Sequence, residues 1–246
     1  MANEIILVTG ASSDIGCALI PRLLAVEHPP VILAHAHQSG DRFQSLQSRF
    51  GDRLQTLRAD LSQSAQVTAM AEDIAARFGT PTKIVHLPAL RLIYDRLTKF
   101  NWERFQQDLA IQVQSAIILL QRFAPKMSKL PRAKVVFVSS SVTLGMPPKF
   151  MSMYTVAKYA QLGLMRSAAA EYAGTGLNIN AISPGMIETR FVSDIAEVAV
   201  QMSAAANPKG RNATPDDILG AIEFLLSPAS DYMTGIDIPL TAGSTC

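Results

Sequence analysis

Tyr154 and Lys158 are the residues of this chain whose types and spacing most directly offer chemistry. A separation of four residues puts both side chains on one face of a helix, and Ser141 lies thirteen residues before Tyr154, just past an apolar run. A tyrosine hydroxyl has a pKa of about 10, and bringing it near 7 requires about 4 kcal/mol of phenolate stabilisation, which a nearby ammonium can supply. The three groups therefore form a candidate centre for proton transfer. The alternative is an exposed tyrosine and lysine on a helix behind a serine-rich loop.

A second candidate site is the turn Thr9-Gly10-Ala11-Ser12-Ser13-Asp14-Ile15-Gly16, between the first apolar run and the first helical pattern. Gly10 can adopt a backbone conformation that other residues avoid, and Gly16 lets a helix pack closely against the strand. Amides at the start of a helix face an anion, so a pyrophosphate would bind here, beside Ser12, Ser13 and Ile15. The alternative is an ordinary glycine-containing turn between a strand and a helix.

The end of the second apolar run bears on which dinucleotide would bind. Dinucleotide folds place a carboxylate about 20 residues beyond the glycines, where it holds the adenosine ribose. Here residues 34–39 contain no acid, while His37, Ser12 and Ser13 could hydrogen-bond a 2′-phosphate. This pattern favours NADP(H) over NAD(H). His35 and His37 share a strand face, but nothing nearby completes a metal site, so no metal is predicted.

The elements that must position these residues are short strands alternating with helices. Runs rich in Val, Ile and Leu predict strands at 5–8, 31–34, 54–57, 84–87, 135–138, 177–182 and 236–240. The longer segments between them carry apolar residues at helical spacing. Such alternation predicts an α/β fold, a doubly wound, Rossmann-like parallel sheet of about seven strands with helices on both faces. No linker divides the chain, so residues 1–246 are predicted to form one domain.

The composition narrows the classes of function. With 48% apolar and 17% charged residues among 246, the chain has the makeup of an ordered globular protein. A net charge of +2 is too balanced to attract a nucleic acid by overall field. No apolar run is long enough to span a membrane and no signal-peptide pattern is present, so a cytoplasmic protein is predicted. Cys17 and Cys246 are the only cysteines and cannot build a disulfide framework, which fits a reducing compartment.

Several ordered motifs together resemble the short-chain dehydrogenase/reductase family over essentially the whole chain. The glycine turn and the Ser141, Tyr154 and Lys158 set are two of them, and the C-terminal part most resembles the 3-oxoacyl-acyl-carrier-protein reductase branch. The other motifs are Asp60-Leu61, the segment from Asn180 to Thr189 that contains Pro184-Gly185, Gly210-Arg211, Pro215-Asp216-Asp217, Phe224-Leu225-Leu226-Ser227 and Tyr232-Met233-Thr234-Gly235.

The resemblance implies a role for each matched residue. Tyr154 would donate a proton to the substrate oxygen, Ser141 would position that oxygen, with Ser140 as the fallback, and Lys158 would hold the nicotinamide ribose. Asp60, beside Leu61, would accept from the adenine amino group. Together with the turn, the implied cofactor-binding set is Gly10, Ser12, Ser13, Ile15, Gly16, His37, Asp60, Leu61, Leu87, Pro88, Tyr154, Lys158, Pro184, Gly185, Ile187 and Thr189.

Three parts of the candidate site depart from the family pattern. Asp14 stands where the family has a second glycine, and we expect its carboxylate to cap the first helix. His86-Leu87-Pro88-Ala89 replaces Asn-Asn-Ala-Gly, so cofactor contact there would rely on backbone groups of Leu87 and Pro88. Gln112 stands at the family's catalytic asparagine and keeps its amide one methylene further out. A proton relay through the backbone carbonyl and a water would survive that change.

These observations predict NADPH-dependent reduction of a ketone, foremost a 3-oxoacyl thioester, with substrate loops at about 141–153 and 186–212. Oxidation of an alcohol by NAD on the same fold is one alternative, and a non-catalytic homologue acting as a subunit is another. A basic segment around Arg132 could dock an acidic acyl carrier protein, or be a solvated helix end. The resemblance further implies a homodimer or homotetramer built through the long central helices.

Overall fold

The computed structural model describes residues 4–38 and 40–244, and a seven-stranded β-sheet lies at the centre of this part of the chain. Most strand residues are buried, because Val, Ile and Leu side chains cover both faces of the sheet. The strands are β1 Ile5–Thr9, β2 Val31–His35, β3 Leu54–Leu57, β4 Lys83–His86, β5 Ala133–Val138, β6 Leu177–Pro184 and β7 Asp237–Leu240.

Neighbouring strands pair in parallel, in the order β3-β2-β1-β4-β5-β6-β7. Side chains of β1 alternate between faces, since Leu7 belongs to one apolar core and Ile6 and Val8 belong to the other. The predicted doubly wound parallel sheet is confirmed.

Helices cover both faces of this sheet. α1, α2 and α8 pack on the face of Ile6 and Val8, while α3, α5 and α6 pack on the face of Leu7. Within the described residues the α-helices are α1 Asp14–Leu24, α2 Asp41–Phe50, α3 Ser64–Arg77, α4 Trp102–Leu109, α5 Ser115–Met127, α6 Ser152–Glu171, α7 Glu197–Ala206 and α8 Asp216–Leu226. A π-helical turn, Ala110–Gln114, joins α4 to α5.

The strand order reverses between β1 and β4, and ligands of open parallel sheets bind outside the strand ends at such a point. The predicted strands shift slightly at their ends. β4 stops at His86 because Pro88 has no amide hydrogen with which to continue the ladder. β6 extends to Pro184, where it pairs with Leu240 at the end of the sheet. Both changes lie where the candidate site residues leave the sheet.

Two further features concern the described residues as a whole. No helix there is long and apolar enough to cross a membrane, and no group of three His, Cys, Asp or Glu side chains in that part could hold a metal ion. Cys17 is buried, and its thiol donates to Ala11 O at 3.7 Å. Cys246 lies outside the described residues.

Candidate active site

One large cleft, of about 1110 Å³, runs along the carboxyl ends of the central strands. The predicted site residues Gly10, Ser12, Ser13, Ile15, His37, Asp60, Leu61, Leu87, Pro88, Ser141, Tyr154, Lys158, Pro184, Gly185, Ile187 and Thr189 all line it. Gly16 and Gln112 do not: Gly16 is buried beneath the turn, and the Gln112 side chain is fully buried. Most of the predicted site residues therefore lie on the cleft wall.

The turn after β1 has the close packing that a phosphate site needs. Gly10 has φ of +71°, and a Cβ there would lie 3.1 Å from Pro88 N. A Cβ on Gly16 would lie 2.4 Å from Ala11 O, so only glycine lets α1 approach the turn. Ser13 Oγ accepts from Gly16 N at 3.1 Å and caps α1, whose positive end faces the cleft.

His35 supports this turn from below, a role that sequence reasoning missed. Gly10 N donates to His35 Nδ1 at 3.2 Å, so Nε2 carries the hydrogen and donates to Ala59 O at 3.0 Å. Burial is the main cause that lowers the pKa of His35, which keeps the ring neutral in this arrangement. The histidine therefore fixes the position of the Gly10 amide.

The end of the cleft beside β2 is lined by His37 and Asp60. His37 Nδ1 lies 3.6 Å from Asp60 Oδ1, and Ser62 donates to the same oxygen from its amide at 2.9 Å and its hydroxyl at 2.7 Å. Burial raises the pKa of Asp60, but the hydrogen bonds from Ser62 and the nearby His37 outweigh it and lower the pKa. A carboxylate from the loop after β3 thus stands near the tip of β2, although β2 itself carries none.

The expectation that Asp14 caps α1 is wrong, because Ser13 already fills that position. Asp14 is instead the first helical residue, and its carboxylate faces Arg190 across the cleft. Arg190 donates to it from the backbone amide at 2.8 Å and from Nε at 3.1 Å. A sequence separation of 176 residues hides this pair from any local pattern.

Tyr154 lies at the start of α6 and points into the cleft, where Phe191 packs against its ring at a centroid distance of 5.7 Å. Burial raises the pKa of Tyr154 well above its ordinary value, an interaction with the Ser140 hydroxyl offsets part of that rise, and the Asp108 carboxylate adds to it. The phenol is therefore protonated at neutral pH. Ser140, the fallback in the sequence, is the serine that contacts it, while Ser141 lines the cleft and its role stays a prediction.

Lys158 is buried one helical turn further on. Its Nζ donates to Val138 O at 2.8 Å and to Gln161 Oε1 at 3.2 Å, and it lies 5.7 Å from the centroid of the Tyr154 ring. Burial lowers the pKa of Lys158 to about 8, although the Asp108 charge opposes this. The expectation that the ammonium brings the Tyr154 pKa near 7 is not met in this state, because burial dominates at both groups.

His86 joins the turn to the helix behind the site. Its Nε2 lies 3.0 Å from the carbonyl oxygen of Gln112 and must donate to it, which leaves Nδ1 to pair with Thr9 Oγ1 at 2.9 Å. The neutral ring fits these contacts, since burial lowers the pKa of His86 to about 3. The carbonyl expected to hold a relay water thus already accepts from His86.

The Gln112 side chain does not reach the cleft. The π-helical turn carries it inward, where it is fully buried and neither amide atom has a hydrogen-bond partner among the described residues. The catalytic role predicted for Gln112 therefore has no support in its position. Sequence spacing could not reveal this, because the π turn shifts the side chain around the helix axis.

Beside Tyr154 the cleft has an apolar wall. Leu92, Val142, Met151, Val192 and Ile195 form its buried part, and Met186 and Phe191 pack against them. Both predicted substrate loops, at about 141–153 and 186–212, contribute residues to this wall. Met146 lies in the first loop but is 96% exposed and contributes nothing to it.

A nicotinamide dinucleotide fits the cleft. The cleft extends from the glycine turn at the start of α1 to Tyr154 and Lys158. The end of β6 and the segment after it form the far side, through Pro184, Gly185, Ile187 and Thr189. The backbone there is held by Gly185 N donating to Leu240 O at 3.1 Å. The negative charge of Asp14 at this turn is offset by its pairing with Arg190.

Comparisons with known proteins agree with this geometry. Residues 10–245 match a family model described as enoyl-(acyl carrier protein) reductase. The cis-4-hydroxycyclohexanecarboxylate dehydrogenase of Sinomonas cyclohexanicum is 29% identical over 99% of this chain and 97% of its own. The crystal structure of levodione reductase is 24% identical, with a TM-score of 0.88 over 98% of this chain and 96% of that one. A gluconate 5-dehydrogenase from Burkholderia cenocepacia, in complex with NADP and tartrate, is 22% identical, with a TM-score of 0.87 over 99% and 96%.

Proposed function

Since this chain belongs to the short-chain dehydrogenase/reductase family and is an NAD(P)-dependent oxidoreductase, we propose that it reduces a ketone to an alcohol with NADPH. The observation that carries the proposal is the protonated, partly buried phenol of Tyr154 beside Ser140 at the end of the cleft. The bound cofactor would supply a hydride to the carbonyl carbon.

Residues of the chain would orient the substrate carbonyl oxygen and protonate it. Ser140 and Tyr154 orient the carbonyl, and the Tyr154 hydroxyl then gives its proton to the developing alkoxide. An alkoxide is a stronger base than a phenolate, so this transfer is favourable even though the pKa of Tyr154 is raised. Lys158 holds the nicotinamide ribose and stabilises the phenolate that remains. Phe191 and Met186 exclude water from this end of the cleft.

Reduction is favoured over oxidation by the protonation state of Tyr154. Oxidation of an alcohol needs a phenolate to accept the hydroxyl proton, and burial disfavours that phenolate at neutral pH. Alcohol oxidation with NAD is the second candidate, because the relative from Sinomonas cyclohexanicum is by name a dehydrogenase of a hydroxy compound. A non-catalytic subunit is disfavoured, because Tyr154, Lys158 and a serine remain together at one cleft.

A 3-oxoacyl thioester is the substrate we propose, because the apolar wall beside Tyr154 suits an acyl chain. NADPH is proposed over NADH because His37 and the two serines of the turn can hydrogen-bond a 2′-phosphate. The gluconate 5-dehydrogenase of the same fold was crystallised with NADP.

We also propose that an acidic acyl carrier protein docks near Arg132. Arg132 pairs with Asp231 at 2.7 Å, and Lys134 is buried against the same carboxylate at 2.8 Å. Asp231 thus offsets one of these two positive charges within the chain. A homodimer or homotetramer is also proposed, since Ile117, Val156 and Tyr159 leave apolar surface exposed on α5 and α6.

The test is a set of initial rates with 3-oxoacyl thioesters and simple ketones, each with NADPH and with NADH, followed by the absorbance of the reduced nicotinamide. We expect turnover of a 3-oxoacyl thioester, with an affinity for NADPH about tenfold higher than for NADH. Binding of NADH about tenfold tighter than NADPH would contradict the cofactor assignment. Turnover of alcohols alone would favour the oxidative candidate.

A further inference from the structure

Asp14 puts a negative charge into the turn that binds an anion. It is the first residue of α1, and a pyrophosphate binds at the first helix of this kind of fold. The carboxylate is only 15% exposed, so solvent screens it poorly. Left alone, it would repel a pyrophosphate that carries two negative charges.

Two arginines from separate segments meet this carboxylate. Arg190, from the loop after β6, donates to Asp14 from its amide and Nε, and its Nη2 donates to Ser12 O at 2.9 Å. Arg42, in the first turn of α2, places its Nη1 3.7 Å from Asp14 Oδ1. The guanidinium of Arg190 also approaches Gly40, so it spans the cleft mouth between the turns after β1 and β2.

The cluster of Asp14, Arg42 and Arg190 has a net positive charge, which favours binding of an anion. One carboxylate and two guanidinium groups leave one positive charge, and the arginine side chains are 59% and 58% exposed, so both can turn toward a ligand. A guanidinium has five donors in a planar fork, which lets Arg190 keep Asp14 while it also contacts a phosphate oxygen.

We propose that Arg190 is a cofactor-binding residue, whose guanidinium bridges Asp14 and the pyrophosphate of the dinucleotide. Asp14, which stands where the family pattern has a glycine, holds the arginine over the turn through its carboxylate. Arg190 is followed directly by Phe191 and Val192 of the apolar wall, so the same contact ties the substrate loop to the bound cofactor. The proposal rests on dinucleotide binding and is independent of which ketone is reduced.

The test is calorimetric binding of NADPH and of ADP-ribose, which has the pyrophosphate but no nicotinamide, at low and high salt. The variants are Arg190→Leu, Asp14→Gly and the double variant. Arg22→Leu is the matched control, because Arg22 forms a similar surface pair with Glu223 at 2.6 Å away from the cleft. Thermal unfolding of each variant checks that it folds.

We expect Arg190→Leu to weaken binding of both ligands about tenfold or more and to reduce the salt dependence. In the Asp14→Gly background, Arg190→Leu should weaken binding of the two ligands about threefold or less, because no carboxylate is then left without a positively charged partner. Arg22→Leu should bind like the wild type.

An equal loss in both backgrounds would mean that Arg190 binds the pyrophosphate without Asp14, and would overturn the bridge. No loss in either background would overturn the role of Arg190 altogether, while leaving dinucleotide use intact. A lowered unfolding temperature with unchanged affinity would mean that the pair is only structural, and would overturn it as well. Failure of the wild type to bind either ligand would overturn both this role and the proposed function.

Discussion

Gln161 offers a direct way to change the charge at the centre of the site without touching the cleft. It is fully buried on α6, and its Oε1 accepts from Lys158 Nζ at 3.2 Å. Gln161→Leu removes this acceptor and leaves Val138 O as the remaining partner of the ammonium. The protonated form of Lys158 is therefore destabilised relative to the neutral amine.

The expected shift follows from the strength of the lost hydrogen bond. A hydrogen bond to a charged group contributes about 1.5–3 kcal/mol, which corresponds to about 1–2 pKa units. The pKa of Lys158, about 8 in the wild type, should fall to roughly 6–7. The free energy of unfolding should change little. Gln161 Nε2 is buried with no hydrogen-bond partner in the described part of the chain, so removing this unpaired donor is favourable and offsets the lost hydrogen bond.

The assay is kcat/KM for ketone reduction as a function of pH, since this parameter reports groups of the free enzyme. The activity should decline as pH rises through the pKa of Lys158, and Gln161→Leu should move that decline about 1–2 units toward acid. Gln161→Glu, which puts a negative charge at the same distance, should move it toward alkali. If both variants decline at the wild-type pH, Gln161 does not control the charge of Lys158 and the reasoning is refuted.

Two further predictions concern the support of the site. Gly16→Ala should lower stability and weaken cofactor binding at least about tenfold, because its Cβ would meet Ala11 O at 2.4 Å, whereas Gly220→Ala, with nothing within 4 Å, should bind normally in the same calorimetric titration. His86→Leu should cost about 1–3 kcal/mol in urea unfolding at neutral pH, since it leaves Gln112 O unpaired. Because His86 has a pKa of about 3 when folded and about 6.5 when unfolded, it should remove about 1.4 kcal/mol of stability per pH unit as the pH falls from 6.5 to about 3, and His86→Leu should lack this contribution. Equal pH slopes would contradict the neutral ring.

Much of the fold could be predicted because its signals are local. The apolar runs give all seven strands to within a few residues, since a parallel strand buried on both faces is apolar along its length. The glycine turn and the Tyr154-Lys158 pair are also short-range patterns. Their meeting at one cleft follows from the doubly wound topology, which brings the carboxyl ends of β1, β4, β5 and β6 together.

The parts that could not be predicted depend on contacts between distant segments of the chain or on small changes in the direction in which a side chain points. The pairing of Asp14 with Arg190 joins residues that no local pattern connects. Which of Ser140 and Ser141 contacts Tyr154 depends on the backbone conformation just after β5. There Ser140 precedes a 3₁₀ turn, Ser141–Thr143. The raised pKa of Tyr154 depends on burial, which spacing alone does not reveal.

Tyr154→Phe tests the central claim most directly, because it removes the hydroxyl and keeps the ring that packs on Phe191. The measurement is single-turnover reduction of the ketone that the wild type accepts, alongside NADPH affinity. A fall in rate of about 10²–10⁴-fold, with affinity changed less than about threefold, is the expected result. A rate close to that of the wild type would mean that another group supplies the proton to the alkoxide.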